Sequence, residues 1–193
     1  MKADILLYIE SATSDNDLTF LDMYLPELLA QRLLGAVQRR VYYSVPSSYE
    51  GKLTGNEACV VRSGHDDVAF WKELFARTGS DHICKIYADS PFLDPTIIGE
   101  MVDLHLTYLA EFTYSENLPA GFSCETVSRE LIAAIPELKE QTLPLAQVIK
   151  SNLNQFDIEI YYKEPDIRDK RISFRSGNRR DSLIMERIYR LEI

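Results

Sequence analysis

The residues best suited to chemistry in this chain are carboxylates set in turns. In Ile86-Tyr-Ala-Asp-Ser-Pro-Phe-Leu-Asp-Pro95, Asp89 directly follows the apolar run Ile83-Cys-Lys-Ile-Tyr-Ala88. If that run is a strand, the Asp89 carboxylate stands at its carboxyl end, where a hard cation such as Mg²⁺ can bridge a carboxylate to nucleotide phosphates. The competing reading is structural: Asp89 or Ser90 supports the turn, and Asp94 followed by Pro95 makes the N-cap and first position of a helix. The Asp-Pro pair favours the cap for Asp94 and leaves both readings open for Asp89. A second acidic candidate, Glu125, ends Leu118-Pro-Ala-Gly-Phe-Ser-Cys-Glu125. There Pro119 and Gly121 can shape a loop that aims a carboxylate or backbone amides at a ligand, or one that merely connects two elements.

Other arrangements that carry chemistry are missing from the sequence. His65 lies in a turn beside Asp66, His82 precedes a strand and His105 falls within a helical segment, so capping, surface or packing roles fit all three better than catalysis. Cys59, Cys84 and Cys124 are widely separated and read as small buried hydrophobes in a reducing compartment. Neither GxxxxGK[ST] nor GxGxxG occurs, so a bound phosphate would have to be held by basic side chains or helix N-termini. The basic side chains are concentrated late in the chain, at Arg168, Lys170, Arg171, Arg175, Arg179 and Arg180.

Hydrophobic periodicity indicates what positions these groups. Ile5-Leu-Leu-Tyr-Ile9 is a continuous apolar run, the pattern of a strand covered on both faces, and the polar loop Ser11-Ala-Thr-Ser-Asp-Asn-Asp17 follows it. Leu28, Leu29, Leu33, Leu34 and Val37 then recur at helical spacing before the strand-like Arg40-Val-Tyr-Tyr-Ser-Val45. Ala58-Cys-Val-Val61 is strand-like, Ser63-Gly-His-Asp66 is a turn with capping residues, and Val68, Trp71, Leu74 and Phe75 form one helical face. The strand Ile83–Ala88 and a helix through Ile97, Ile98, Met101 and Leu104 complete the alternation. Beyond Tyr114 helices are expected near 128–135 and 144–154, strands at Ile158–Tyr162 and Arg171–Phe174, and a final helix. This order predicts a three-layer α/β/α sandwich on a mainly parallel mixed sheet, with ligands outside the carboxyl ends of the strands.

Composition narrows the function classes. The 193 residues are 46% apolar, enough for a packed core, and are expected to form one domain over 1–193. A net charge of −9 and a pI near 4.9 argue against nucleic acid and anionic membrane surfaces as partners. The short apolar run at the N-terminus has no cleavage site after it, and no stretch approaches a bilayer-spanning length, so a soluble, cytoplasmic protein is expected.

Three of these segments together resemble the cytidylyltransferases of the acylneuraminate and spore-coat polysaccharide type, which have the nucleotide-diphosphosugar transferase fold. Arg62-Ser-Gly-His-Asp-Asp-Val68 resembles the family's segment before its second main helix. Tyr87-Ala-Asp-Ser-Pro-Phe-Leu-Asp-Pro95 resembles its Gly-Asp-Cys-Pro-Leu-Ile-Asp-Pro stretch, and Pro119-Ala-Gly-Phe-Ser-Cys-Glu125 its Pro-Asp-Gly-Leu-Asp-Val-Glu loop. The resemblance implies a nucleotide or nucleotide-sugar pocket formed by Asp89, Ser90, Gly121, Glu125 and Arg175, with Mg²⁺ on Asp89. An active member would transfer a nucleotidyl group to a sugar.

Two departures from the family pattern imply that nucleotidyl transfer is lost or altered. Where the family has a Gly-, Arg- and Lys-rich triphosphate loop after strand one, this chain has Glu10-Ser-Ala-Thr-Ser-Asp-Asn-Asp17, without a basic residue. Each close like-charge contact with a polyphosphate would cost on the order of 1 kcal/mol. Ser173-Phe-Arg-Ser176 aligns with the family's Thr-Val-Asp-Thr, which puts Arg175 where a second metal-binding aspartate is expected, and an arginine neutralises anions but does not ligate Mg²⁺. Transfer, if retained, would draw its cations from Arg175 or Arg179. The alternative is a non-catalytic module that docks a partner domain or subunit. The wording Leu-Ala-Glu-Phe-Thr-Tyr-Ser115-Glu-Asn-Leu-Pro-Ala-Gly also resembles the amino-terminal region of spiro-SPASM proteins, which implies an iron–sulfur partner domain in a longer chain.

Overall fold

A computed structural model describes residues 3–10, 40–47, 59–135, 143–168, 173–175 and 179–191. The expected helix through Leu28–Val37 and most of the loop after strand one lie outside the described residues. The two central strands are β1 (Ala3–Tyr8) and β4 (His82–Tyr87), parallel and in register from Ala3 opposite His82 to Tyr8 opposite Tyr87. Every residue of β1 is buried, as the apolar run from Ile5 requires when both faces are covered, and its one charged residue, Asp4, is paired with Arg40 at 2.7 Å.

Around this pair the sheet has the order β3-β2-β1-β4-β6-β5-β7. Strands β2 (Val41–Pro46) and β3 (Cys59–Arg62) extend the parallel half. Strand β6 (Glu125–Ser128) runs antiparallel to both β4 and β5 (Phe112–Ser115), and β7 (Ile158–Tyr161) is parallel to β5 at the far edge. The sheet is therefore mainly parallel and mixed, as expected. The segment ending at Glu125 leads into a strand, because Thr126 and Val127 enter the centre of the sheet. The first half of the expected strand Arg171–Phe174 lies outside the described residues, and Ser173 makes an isolated bridge with Ala120.

Three of the helices start where a short polar side chain accepts from an orphan amide. Helix α1 (Val68–Thr78) is capped by Asp67, which accepts from Phe70 N–H at 2.9 Å, so the cap lies one residue beyond Asp66. Helix α2 (Pro95–Tyr108) is capped by Asp94, which accepts from Thr96 N–H at 2.8 Å, with Pro95 in the first turn. Ser128 caps α3 (Arg129–Ala134), and α4 (Leu145–Lys150) and α5 (Arg179–Leu191) complete the set. No helix of the described residues is long and apolar enough to cross a membrane.

Alternation along the strands divides the core into two layers. Leu6, Ile83 and Val127 meet Trp71 and Leu74 of α1 and Leu131 of α3 on one face. Ile5, Leu7 and Ile86 meet Ile98 and Met101 of α2 on the other. Two histidines lie within this packing, as expected for His82 and His105. His82 Nδ1 is 3.0 Å from His105 Nε2, and His105 Nδ1 is 2.9 Å from Thr113 Oγ1, so one of the two facing ring nitrogens donates and the other accepts, and the two rings are not protonated together. Burial, followed by the neighbouring His82, pushes His105 down to about 3. His65 is exposed in the turn before α1.

Candidate functional site

The carboxyl ends of β1, β3 and β4 converge on a cluster of charged and aromatic side chains. Tyr8 and Tyr87, paired across β1 and β4, meet edge to face with centroids 5.7 Å apart. Three cations alternate with these two rings. The Arg62 guanidinium lies 3.8 Å from the Tyr8 centroid, Lys85 Nζ lies 4.6 Å from both centroids, and the Arg175 guanidinium lies 3.6 Å from that of Tyr87.

Lys85 is only 1% exposed, in the middle of a strand that is otherwise mostly apolar. Its ammonium donates to Asp66 Oδ2 at 2.5 Å, to the Tyr87 hydroxyl at 3.1 Å and to Glu125 Oε2 at 3.4 Å. Glu125 reaches it because the two residues are direct partners across the β4–β6 ladder, while Asp66 arrives from the turn before α1. Burial disfavours the ammonium, but Glu125 and Asp66 outweigh it and hold the Lys85 pKa above its ordinary value. Lys85 therefore ties one expected site residue, Glu125, to the carboxyl end of β4. Residue spacing does not mark Lys85 as a site residue, and its one signal in the sequence is a single charged residue inside a buried strand.

Arg62 is 5% exposed and holds the start of the loop after β1. It donates to Ser44 Oγ at 3.0 Å, to the Glu10 carbonyl at 2.7 Å and to the Ile9 carbonyl. Its Nε has no hydrogen-bond partner among the described residues. Burial pulls the Arg62 pKa down against the opposing effects of Tyr8, Asp66 and Glu10.

Asp89 stands just beyond β4, at the place its sequence position indicated, but its carboxylate faces a cation of the chain itself. Arg175 Nε donates to Asp89 Oδ1 at 3.1 Å and Nη2 to Oδ2 at 3.3 Å, a two-pronged pair, and Nη2 also donates to Glu10 Oε2. The Arg175 and Asp89 side chains are 19% and 22% exposed, so solvent screens the pair only in part. Burial opposes the charge on Arg175, yet Asp89 and Glu10 prevail and raise its pKa.

The neighbouring backbone explains why Arg175 points there. Gly121 has φ +98, and a Cβ at that position would lie 2.6 Å from the Phe174 carbonyl oxygen, so only glycine lets the two strands of chain approach. Phe174 N–H donates to the Ala120 carbonyl at 2.8 Å, and the Phe174 ring meets Phe122 and Phe92 edge to face at 4.8 and 6.0 Å. Ser90 is buried beneath this corner, and its carbonyl accepts from Leu93 N–H at 3.3 Å. All five expected site residues therefore lie at the same end of the sheet. Asp89 and Arg175 pair directly, Glu125 joins the adjacent Lys85 cluster, and Gly121 acts through the approach of Phe174. The side chain of Arg179 lies outside the described residues.

These residues do not fit a divalent ion in the arrangement observed. Both Asp89 oxygens already accept from a guanidinium, and no group of three or more His, Cys, Asp or Glu side chains suited to a metal occurs among the described residues. The carboxylates Glu10, Asp66, Asp89 and Glu125 face the cations Arg62, Lys85 and Arg175. The cluster is thus close to charge balance, one negative charge in excess, rather than strongly basic.

A seven-stranded mixed sheet of this order, with one antiparallel strand inside it, is a nucleotide-diphosphosugar transferase-like fold. The solved structures that share it bear this out. A cytidylyltransferase from Leptospira borgpetersenii is 17% identical with a TM-score of 0.72, the match covering 100% of this chain and 95% of that one. CMP:2-keto-3-deoxy-manno-octonic acid synthetase, solved with CTP, is 12% identical with a TM-score of 0.66 over 100% of this chain and 98% of that one. Rv0371c of Mycobacterium tuberculosis, solved with manganese, is 13% identical with a TM-score of 0.60 over 95% of this chain and 96% of that one. No protein-family model and no curated protein matches the chain. At these identities the likeness establishes the nucleotide-diphosphosugar transferase-like fold.

Proposed function

We propose that this chain is a divergent cytidylyltransferase-like domain that binds a nucleotide or nucleotide-sugar at the carboxyl ends of β1 and β4, and in which metal-dependent nucleotidyl transfer is lost or altered. The observation that carries this reading is the Arg175 guanidinium spanning both oxygens of Asp89. One neighbour is solved with CTP and another with manganese, which supports a nucleotide as a ligand of the fold and makes a divalent ion a candidate to weigh against Arg175. In this chain, Mg²⁺ on Asp89 would have to displace Arg175. An anionic ligand can instead meet the guanidinium directly: Arg175 exchanges the Glu10 carboxylate for a phosphate oxygen and keeps its contact with Asp89. Such an exchange of one anion for another requires no added cation.

Calorimetric titration with CTP, UTP and CDP- or UDP-sugars, with and without Mg²⁺, tests the proposal on the native protein and on Arg175→Gln. Binding that persists in EDTA and is lost in Arg175→Gln is the expected result. Binding to no nucleotide would reject it. That outcome would favour the alternative, a non-catalytic module docking a partner subunit or the iron–sulfur domain suggested by the segment around Ser115–Gly121, whose support is the same set of internally satisfied charges. Pyrophosphate release from CTP with candidate sugars decides whether any transfer survives.

A further inference from the structure

We infer that the carboxylates of Asp89 and Glu10 form a cation site whose resident cation is the chain's own Arg175 guanidinium, and that this site takes a divalent metal ion only when the guanidinium is removed. The inference does not depend on a nucleotide being the ligand of the cleft. It rests on the two-pronged pair with Asp89 at 3.1 and 3.3 Å, the further bond to Glu10 and the stacking of the guanidinium on Tyr87 at 3.6 Å.

The guanidinium is tethered as well as bonded. Arg175 N–H donates to Ser173 Oγ at 3.2 Å, and Phe174 is held by Ala120 and by the rings of Phe92 and Phe122. A dissolved metal ion therefore competes with a cation that is covalently part of the chain and present at high effective concentration. Mg²⁺ is at a further disadvantage because it surrenders its water reluctantly. Removal of Arg175 reverses the balance. It leaves two carboxylates from separate strand ends beside Tyr87 without the guanidinium that bridged them, an arrangement that attracts a hard divalent ion.

Mn²⁺ alone is the probe, followed by the loss of the free-ion electron paramagnetic resonance signal and checked by calorimetry. The native protein should take up no Mn²⁺ at this position, so Asp89→Asn leaves its titration unchanged. Arg175→Gln should tighten uptake by at least about tenfold, the factor attached to one charge-assisted pair, and Arg175→Gln with Asp89→Asn should abolish the gain. Arg175→Lys, which keeps the charge but covers the carboxylate at a single point, should fall between native and Arg175→Gln; circular dichroism establishes that each variant is folded. If Arg175→Gln fails to fold, the native and Arg175→Lys titrations decide. Native uptake of Mn²⁺ that disappears in Asp89→Asn would overturn the inference, as would a folded Arg175→Gln or Arg175→Lys that binds Mn²⁺ no better than native.

Discussion

Replacement of Lys85 by methionine removes the buried charge near the carboxyl end of β4 while nearly preserving side-chain length. In the native protein the ammonium is 1% exposed and sits 2.5 Å from an Asp66 carboxylate that is itself 6% exposed. Glu125, 3.4 Å away and 18% exposed, keeps some access to water. Lys85→Met therefore leaves one carboxylate charged, buried and without its cation, and breaking a pair in this way costs about 3–5 kcal/mol. Against a total stability of roughly 5–15 kcal/mol this is a large fraction. Urea unfolding followed by the fluorescence of Trp71, the single tryptophan and a buried one, measures it directly. The loss should shrink as pH falls, because the folded variant takes up a proton on the stranded carboxylate and the unfolded chain gains less from doing so. Lys85→Met combined with Asp66→Asn should recover much of the loss, since the two residues act as a pair. A Lys85→Met protein within about 1 kcal/mol of native at neutral pH, with no gain on acidification, would refute the placement of Lys85 as a buried, paired ammonium.

Three further outcomes are expected. The His105 pKa is lower in the folded protein, at about 3, than in the unfolded chain, so the unfolded chain binds the extra proton between these values. Its contribution to stability is thus complete above about pH 6.5 and lost as pH falls, by up to about 1.4 kcal/mol per pH unit. His105→Gln should flatten that part of the acid limb in urea midpoints, and an unchanged slope would contradict the account. Gly121→Ala should cost about 1–3 kcal/mol through the positive φ and the 2.6 Å approach to Phe174, read as a lowered unfolding temperature. Asp94→Ala should cost about 1 kcal/mol by loss of the α2 cap in the same assay, whether or not any ligand is present.

Local signals carried much of the fold. The apolar run at Ile5–Ile9 marked a strand buried on both faces, and the Asp94-Pro95 pair marked the start of α2, since each depends on neighbouring residues alone. Strand β6 was harder to read: it is four residues long, follows a proline- and glycine-containing turn and enters the sheet antiparallel, so neither length nor helix alternation announces it. The position of Asp89 at a strand end was legible, and the similarity of the 173–176 segment to a known motif brought Arg175 to the same place. Their direct pairing was not legible, because 86 residues separate them. Lys85 likewise finds Asp66 and Glu125 at separations of 19 and 40 residues, through the register between β4 and β6 and the turn before α1. The alternation of Arg62, Tyr8, Lys85, Tyr87 and Arg175 arises only when the ends of β3, β1 and β4 and the chain at Arg175 are brought to one end of the sheet.

In the reading proposed above, Arg175 supplies at Asp89 the positive charge that a bound metal would otherwise bring. Nitrogen-resolved NMR of the arginine side-chain Nε–H groups, recorded while CTP is added in EDTA, tests that claim most directly. The account predicts that the Arg175 Nε–H resonance shifts saturably with nucleotide in the absence of any divalent ion, and that later addition of Mg²⁺ changes neither its position nor the affinity. An Arg175 resonance that ignores the nucleotide, or that moves only once Mg²⁺ is supplied, would contradict it.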